Sequence, residues 1–246
     1  DRADRTFKVA DRFAAQHPGW DLQGEFLGFS DYTAKLSTMI AGGNAPDVIQ
    51  TEYRFLFDYA RRGTLAPLDS LVGSVLDVSD FASPALEAGK VDGQLFGIPL
   101  GLSALSLIYD ETAFERYGVA PPTPETTWEE QAEIGLAITE AARSAGVQNY
   151  YGLPDEGGGD YVFEVWVTQR GGLLYTADGK LGFTEADLAE WLAYWDELRK
   201  SGACVPPDLQ ALNKQTIETM ALTLGYSPVA YAVANQLIGF QAVNQG

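Results

Sequence analysis

The stretch Met39-Ile40-Ala41-Gly42-Gly43-Asn44-Ala45-Pro46-Asp47-Val48-Ile49 compresses a helix end, a tight stop and an apolar pair into eleven residues. Upstream, Tyr32, Leu36, Met39 and Ile40 recur at helical spacing behind Ser30, whose hydroxyl suits an N-cap. Gly42, Gly43 and Asn44 tolerate the left-handed backbone that closes a helix, and Pro46 forbids its continuation. Val48 and Ile49 then predict a short buried strand, so the whole stretch reads as one α/β unit. Residues 51–54, Thr-Glu-Tyr-Arg, would follow the carboxyl end of that strand, where open α/β sheets bind ligands.

The same alternation extends on both sides. Phe7, Ala10, Phe13 and Ala14 give an earlier helix an apolar face, His17-Pro18-Gly19 stops it, and residues 22–26 read as a strand. Phe55, Leu56 and Tyr59 predict a helix, Pro67 a turn, Leu71 and Phe81 short helical pieces, and residues 91–99 a strand pair or bend. A helix-strand repeat of this kind predicts a mainly parallel sheet. Residues 104–109 suit a buried strand and 112–117 a short helix; Pro121-Pro122-Thr123-Pro124 reads as a stiff linker. Thr127 caps a long helix that Glu129 and Glu130 favour near its positive end, and Gly146 ends it. Residues 155–159 predict a flexible loop before an aromatic helix over 160–169, and Ala177-Asp178-Gly179-Lys180 a hairpin turn. Leu188, Trp191, Trp195 and Leu198 share one helix face, which assigns both tryptophans to the core.

Charge narrows the partners. Thirty-four acidic against sixteen basic residues leave a net charge of −18, which repels nucleic acid and anionic membrane surfaces and favours neutral or cationic ligands. No apolar run is long enough to span a bilayer. The single cysteine, Cys204, permits no intramolecular disulfide and no cysteine metal cluster. The only histidine, His17, stands at a helix end, where it faces solvent. With one of each, and no nucleophile elbow, nucleophilic catalysis is disfavoured. No phosphate or dinucleotide fingerprint is present; Gly157-Gly158-Gly159 lacks the spacing for one. No cofactor is expected. The acidic residues leave open a glycoside hydrolase with two opposed carboxylates as an alternative, though pairs such as Asp155-Glu156 are adjacent and cannot flank a sugar ring.

Several motifs, in order, resemble the family-1 extracellular solute-binding proteins of bacterial ABC importers, the maltose-binding group. These are the Gly43-Asn44-Ala45-Pro46-Asp47-Val48 run, Gly63-Thr64-Leu65-Ala66-Pro67-Leu68, Asp92-Gly93-Gln94-Leu95-Phe96-Gly97-Ile98-Pro99, Thr127-Trp128-Glu129-Glu130, Gly171-Gly172 and Asn235-Gln236-Leu237. The resemblance implies a type II periplasmic-binding-protein-like α/β fold with two lobes, residues 1–104 and 105–246, and a ligand cleft between them. It implies capture of a neutral mono- or oligosaccharide by lobe closure, without bond breaking, for membrane permease subunits, in the periplasm or anchored outside the cell. A sugar-sensing interaction protein with no transport role is the other alternative. Matched position by position, the ligand contacts would be Phe29, Glu52, Tyr53 and Ser103 in the first lobe and Asp160, Tyr161 and Asn235 in the second. Sugars present apolar C–H faces that stack on aromatic rings and hydroxyls that seek carboxylates and amides, and these residue types supply both. Asp110 and Ser103 depart from the usual family residues, so ligand identity is not transferred. The charged start Asp1-Arg2-Ala3-Asp4-Arg5 is unlike a signal peptide, and the resemblance implies missing elements at both ends.

Overall fold

The computed structural model describes residues 2–243 except Ala177, and the side chains of Arg2, Phe29 and Ser30 fall outside the described set. The chain forms two compact units, Asp1–Leu100 and Gly101–Gly246; the boundary expected from the sequence lay at 104/105.

In the first unit, α1 (Arg2–Gln16) carries the Phe7, Ala10, Phe13 and Ala14 stripe and ends before Gly19, whose φ of 106° only glycine adopts readily. Helix α2 (Phe29–Ala41) starts after Gly28, which is extended and offers no side-chain cap, so Ser30 lies inside the first turn instead of capping it. The helix ends as the glycines require: Gly42 N–H bonds Thr38 O at 3.0 Å and Gly43 turns at φ 71°. Helix α3 (Tyr53–Arg61) buries Leu56, Tyr59 and Ala60. After the short α4 (Ser83–Glu87) come β1 (Lys90–Val91) and β2 (Gln94–Leu95), an antiparallel pair. Asp92 and Gly93, both at positive φ, supply the left-handed turn that matches strand twist. A small core joins Leu56, Ala60 and Val91 to Phe57, Leu65 and Phe96.

Two expected strands of this unit are not strands. Residues 22–26 and 47–50 run as irregular chain, with Phe26 61% and Val48 89% exposed. A short apolar run becomes a strand only where a neighbour supplies hydrogen bonds and a covering face. Among the described residues nothing pairs with either segment. The second is tethered differently, by the Tyr32 hydroxyl donating to Gln50 O at 2.8 Å.

In the second unit, β3 (Leu105–Tyr109) pairs antiparallel with β4 (Val229–Val233), in the register Leu105↔Val233 through Tyr109↔Val229. The two-residue periodicity of a strand splits this ribbon between two clusters. Leu105, Leu107 and Tyr231 pack on the large aromatic core, whereas Ile108, Ala230 and Ala232 pack on Phe240. The named sheets of the described residues are thus two antiparallel pairs, and the mainly parallel sheet expected from alternation is not found. Among the described residues, parallel pairing appears only as the isolated bridges Val72↔Leu76 and Leu153↔Cys204.

Asp110 caps α5 (Glu111–Tyr117) by accepting from the amides of Thr112 and Ala113. The proline run 121–124 connects α5 to α6 (Trp128–Ser144) inside this unit, so it is an internal connection and not a linker between units. Thr127 caps α6 as expected, and Glu130 completes a capping box: Thr127 Oγ1 accepts from Glu130 N at 3.2 Å and Glu130 Oε2 from Thr127 N at 2.8 Å. Helices α7 (Asp160–Gln169) and α8 (Glu185–Ser201) pack on α6 and β3, with α9 (Pro207–Gln210) and α10 (Leu237–Val243) completing the described elements. Thr184 and Asp187 repeat the capping box on α8. At the hairpin near residue 178, Thr176 N–H bonds Lys180 O and Tyr175 bridges Leu181; Ala177 of that turn lies outside the described residues. The core is built on Trp166, Trp191 and Trp195, with Phe114, Ile138 and Val205. Glycine permits one contact in it: a Cβ on Gly152 would lie 2.1 Å from the Gly135 carbonyl oxygen, and Thr139 stitches the two segments by accepting from Gly152 N and donating to Gly135 O, each at 2.9 Å.

Candidate ligand-binding site

The start of α7 is the best-supported part of the second unit. The loop before it, expected to be flexible, is fixed. The Asp155 carboxylate, 8% exposed, pairs with the Arg199 guanidinium at 2.6 and 2.8 Å and accepts from Gly157 N at 2.9 Å. The buried Trp191 indole donates to Gly157 O at 3.0 Å. Gly157 is a packing glycine: a Cβ there would lie 2.2 Å from Arg199 Nη2 and 3.0 Å from Trp195 Cβ. On this base α7 buries Val162, Phe163, Trp166 and Val167 and leaves Asp160 and Tyr161 at the surface, Tyr161 38% exposed. Under it the aromatic rings meet edge to face, Trp166 on Trp191 at 5.4 Å and Trp191 on Trp195 at 5.4 Å. An exposed ring on a rigid base loses little entropy when it stacks on a ligand.

Ser103 and Asn235 are brought together at the end of the β3–β4 ribbon. Ser103 Oγ donates to Asn235 Oδ1 at 3.5 Å, both side chains are exposed, and Ala234 N–H bonds Ala104 O at 3.0 Å beside them. In the first unit, Glu52 is the half-buried residue preceding α3, extended and without a side-chain cap bond. Tyr53 opens α3 and is 47% exposed, with the Arg54 guanidinium 6.0 Å from its ring centroid. Both follow irregular chain instead of the expected strand. Phe29 begins α2, and its side chain lies outside the described residues.

Sequence reasoning missed two features. One is a groove of about 400 Å³ in the second unit, between β3, the start of α6 and the end of α7, lined by Ser106, Trp128, Gln131, Gln169, Arg170 and Tyr231 among others. None of the expected site residues lines it. Several of its polar groups are engaged internally: Trp128 Nε1 donates to Gln169 Oε1 at 2.8 Å, the Tyr231 hydroxyl bonds Gln131 Oε1, and the Arg170 guanidinium lies 3.4 Å from the Trp166 ring centroid. The other is Glu156, whose carboxyl is pushed up to about 7 by burial and then by the Asp155 charge. No local pattern marks either, because the burial comes from distant segments.

The catalytic possibilities narrow as well. Burial pushes the Cys204 thiol up to about 12, so it is not a poised nucleophile. His17 is exposed at the end of α1, its ring 4.3 Å from that of Phe13. Among the described residues no three His, Cys, Asp or Glu side chains are placed to hold a metal ion, and no helix is long and apolar enough to cross a membrane.

The sequence profile of the bacterial extracellular solute-binding proteins matches residues 6–236. The chain belongs to that family. It is 26% identical over 187 residues to a lactose-binding protein of Rhizobium radiobacter, covering 72% of this chain and 41% of the relative. Among solved structures, it is similar to a family 1 extracellular solute-binding protein from Alicyclobacillus acidocaldarius, at 33% identity and TM-score 0.62, over 98% of this chain and 59% of that one. It is also similar to an ABC substrate-binding protein from Listeria monocytogenes in complex with cycloalternan, at 25% identity and TM-score 0.80, over 96% of this chain and 60% of that one. The chain spans about half the length of the curated relatives it matches. Its fold class is the type II periplasmic-binding-protein fold of this family, as the ordered motifs implied. Family members are solute-binding proteins of the periplasm or cell exterior, and their role is binding.

Proposed function

We propose that this chain acts in the substrate-capture component of an ABC importer and binds a neutral mono- or oligosaccharide without cleaving it. The observation that carries the reading is Tyr161: an exposed aromatic ring beside a carboxylate, Asp160, at the start of a helix whose base is immobilised by the Asp155–Arg199 pair and the tryptophan core. Stacking on a sugar C–H face with a carboxylate at hydroxyl reach is the chemistry a carbohydrate demands. Two similar proteins are a lactose binder and a cycloalternan complex, which favours the same ligand class. Ser103 and Asn235 in the second unit, and Phe29, Glu52 and Tyr53 in the first, are the further proposed contacts. Permease subunits are the proposed partners, with the protein in the periplasm or membrane-anchored outside the cell.

A thermal-shift panel tests this. A ligand that binds only the native form stabilises it by about 2.7 kcal/mol at a hundredfold excess over Kd. Lactose, maltotriose or cycloalternan should therefore raise the melting temperature in a saturable way. A panel of neutral sugars that leaves it unmoved, while a peptide, a metal ion or a glycerophosphodiester shifts it, would overturn the carbohydrate reading.

A further inference from the structure

Glu156 is an acidic group of the second unit that the proposed contacts leave unused. Its neighbour Asp155 is closed off by Arg199 of α8. Gly159 N–H bonds Glu156 O at 2.8 Å, which folds the chain back so that the Glu156 carboxylate lies over the glycine; a Cβ on Gly159 would meet Glu156 Oε2 at 2.6 Å. The carboxyl therefore sits at the entry to α7, whose capping residue has no side chain to offer and whose next residues are Asp160 and Tyr161. The side chain is half-buried, and no hydrogen bond engages its carboxyl among the described residues. The titratable groups that interact with it are Asp155 on its own loop and the Tyr231 phenol on β4, which feels the Glu156 charge, while Arg199 on α8 is engaged by Asp155. None of them compensates a buried negative charge. A desolvated carboxyl without a partner costs stability, and such groups concentrate where a ligand completes the hydrogen bonding.

We propose that Glu156 is a ligand-binding residue at the start of α7, its carboxylate accepting a hydrogen bond from a hydroxyl of the bound sugar. This rests on the carbohydrate reading above and adds a residue that the family motifs did not mark. The hydroxyl-to-carboxylate bond is charge-assisted and favours the anion. Because the unliganded carboxyl titrates at about 7, bound sugar pulls that value down. Binding below neutrality then releases a proton, and affinity falls as pH falls, by at most tenfold per pH unit.

Isothermal titration calorimetry of the wild type and E156Q with lactose, maltotriose and cycloalternan, from about pH 6 to about pH 8 in buffers of different ionisation enthalpy, tests the proposal. The sugar that binds should lose about tenfold in affinity toward the acid end in the wild type, with proton release. E156Q should bind more weakly at pH 8 and show no pH dependence, while melting no lower than the wild type there. Affinity that is flat with pH in the wild type, or undiminished in E156Q, overturns the role of Glu156 and leaves the carbohydrate reading standing. No binding of any of the three sugars at any pH overturns both.

Discussion

At the scale of single residues, exposure separates the aromatics by role. Trp191 and Trp195 are buried and ring-packed, whereas Tyr161 presents its ring to solvent one helix away. Trp195→Ala should cost about 3–5 kcal/mol in denaturant unfolding, from lost burial and a cavity that relaxes only partly. Tyr161→Ala should leave the unfolding midpoint almost unchanged. Arg199→Ala should cost about 3 kcal/mol, because it strands the 8%-exposed carboxylate of Asp155. Glu156 behaves in the opposite sense. Its carboxyl titrates at about 7 in the folded protein against 4.5 for the free side chain, so the folded state holds the extra proton between those values. Its stabilising contribution is present at low pH and disappears as pH rises through about 7. Glu156→Gln should therefore raise the melting temperature at pH 8 and make no difference below about pH 4.5. A variant less stable than the wild type at pH 8 would contradict the burial of that charge. The two kinds of residue were not equally legible: the Trp191 and Trp195 stripe announces a core by its spacing, but a Glu beside three glycines looks solvated until Gly157 is seen packed on Trp195.

At the scale of elements, the helices were legible and the strands only in part: β3 and the β1–β2 pair were expected and formed, whereas 22–26 and 47–50 did not. Helix starts are written locally: Thr127 with Glu130, Thr184 with Asp187 and Asp110 ahead of α5 cap as their chemistry requires, and the expected 160–169 helix coincides with α7. Thr127→Ala should cost about 1 kcal/mol in unfolding free energy, and Thr127→Ser much less. Strand identity is decided by a partner elsewhere in the chain. Leu105 to Tyr109 finds one in residues 229–233, more than a hundred positions away, while Val48 and Ile49 find none among the described residues. The Gly135–Gly152 contact was invisible for the same reason, and Gly152→Ala, whose Cβ would fall 2.1 Å from a backbone oxygen, should destabilise by about 1–3 kcal/mol or displace α6.

At the scale of the molecule, the order of motifs along 246 residues carried the family where no single motif could, and the profile match over residues 6–236 agrees with it. The site was legible only as residue types at the edges of elements. Ser103 with Asn235, and Asp160 with Tyr161, are placed as pairs by a ribbon register and a helix start that the sequence does contain. The net charge of −18 makes a neutral ligand the easier guest and predicts that modest salt, by screening self-repulsion, raises the melting temperature. Calorimetric titration of the wild type and Tyr161→Ala with the sugar that gives the largest thermal shift brings residue and function together. Carbohydrate capture on the Tyr161 face predicts saturable binding to the wild type and affinity weakened about tenfold or more in the variant, the worth of one stacked ring and its buried area. Equal dissociation constants for the two proteins, at equal stability, would contradict it.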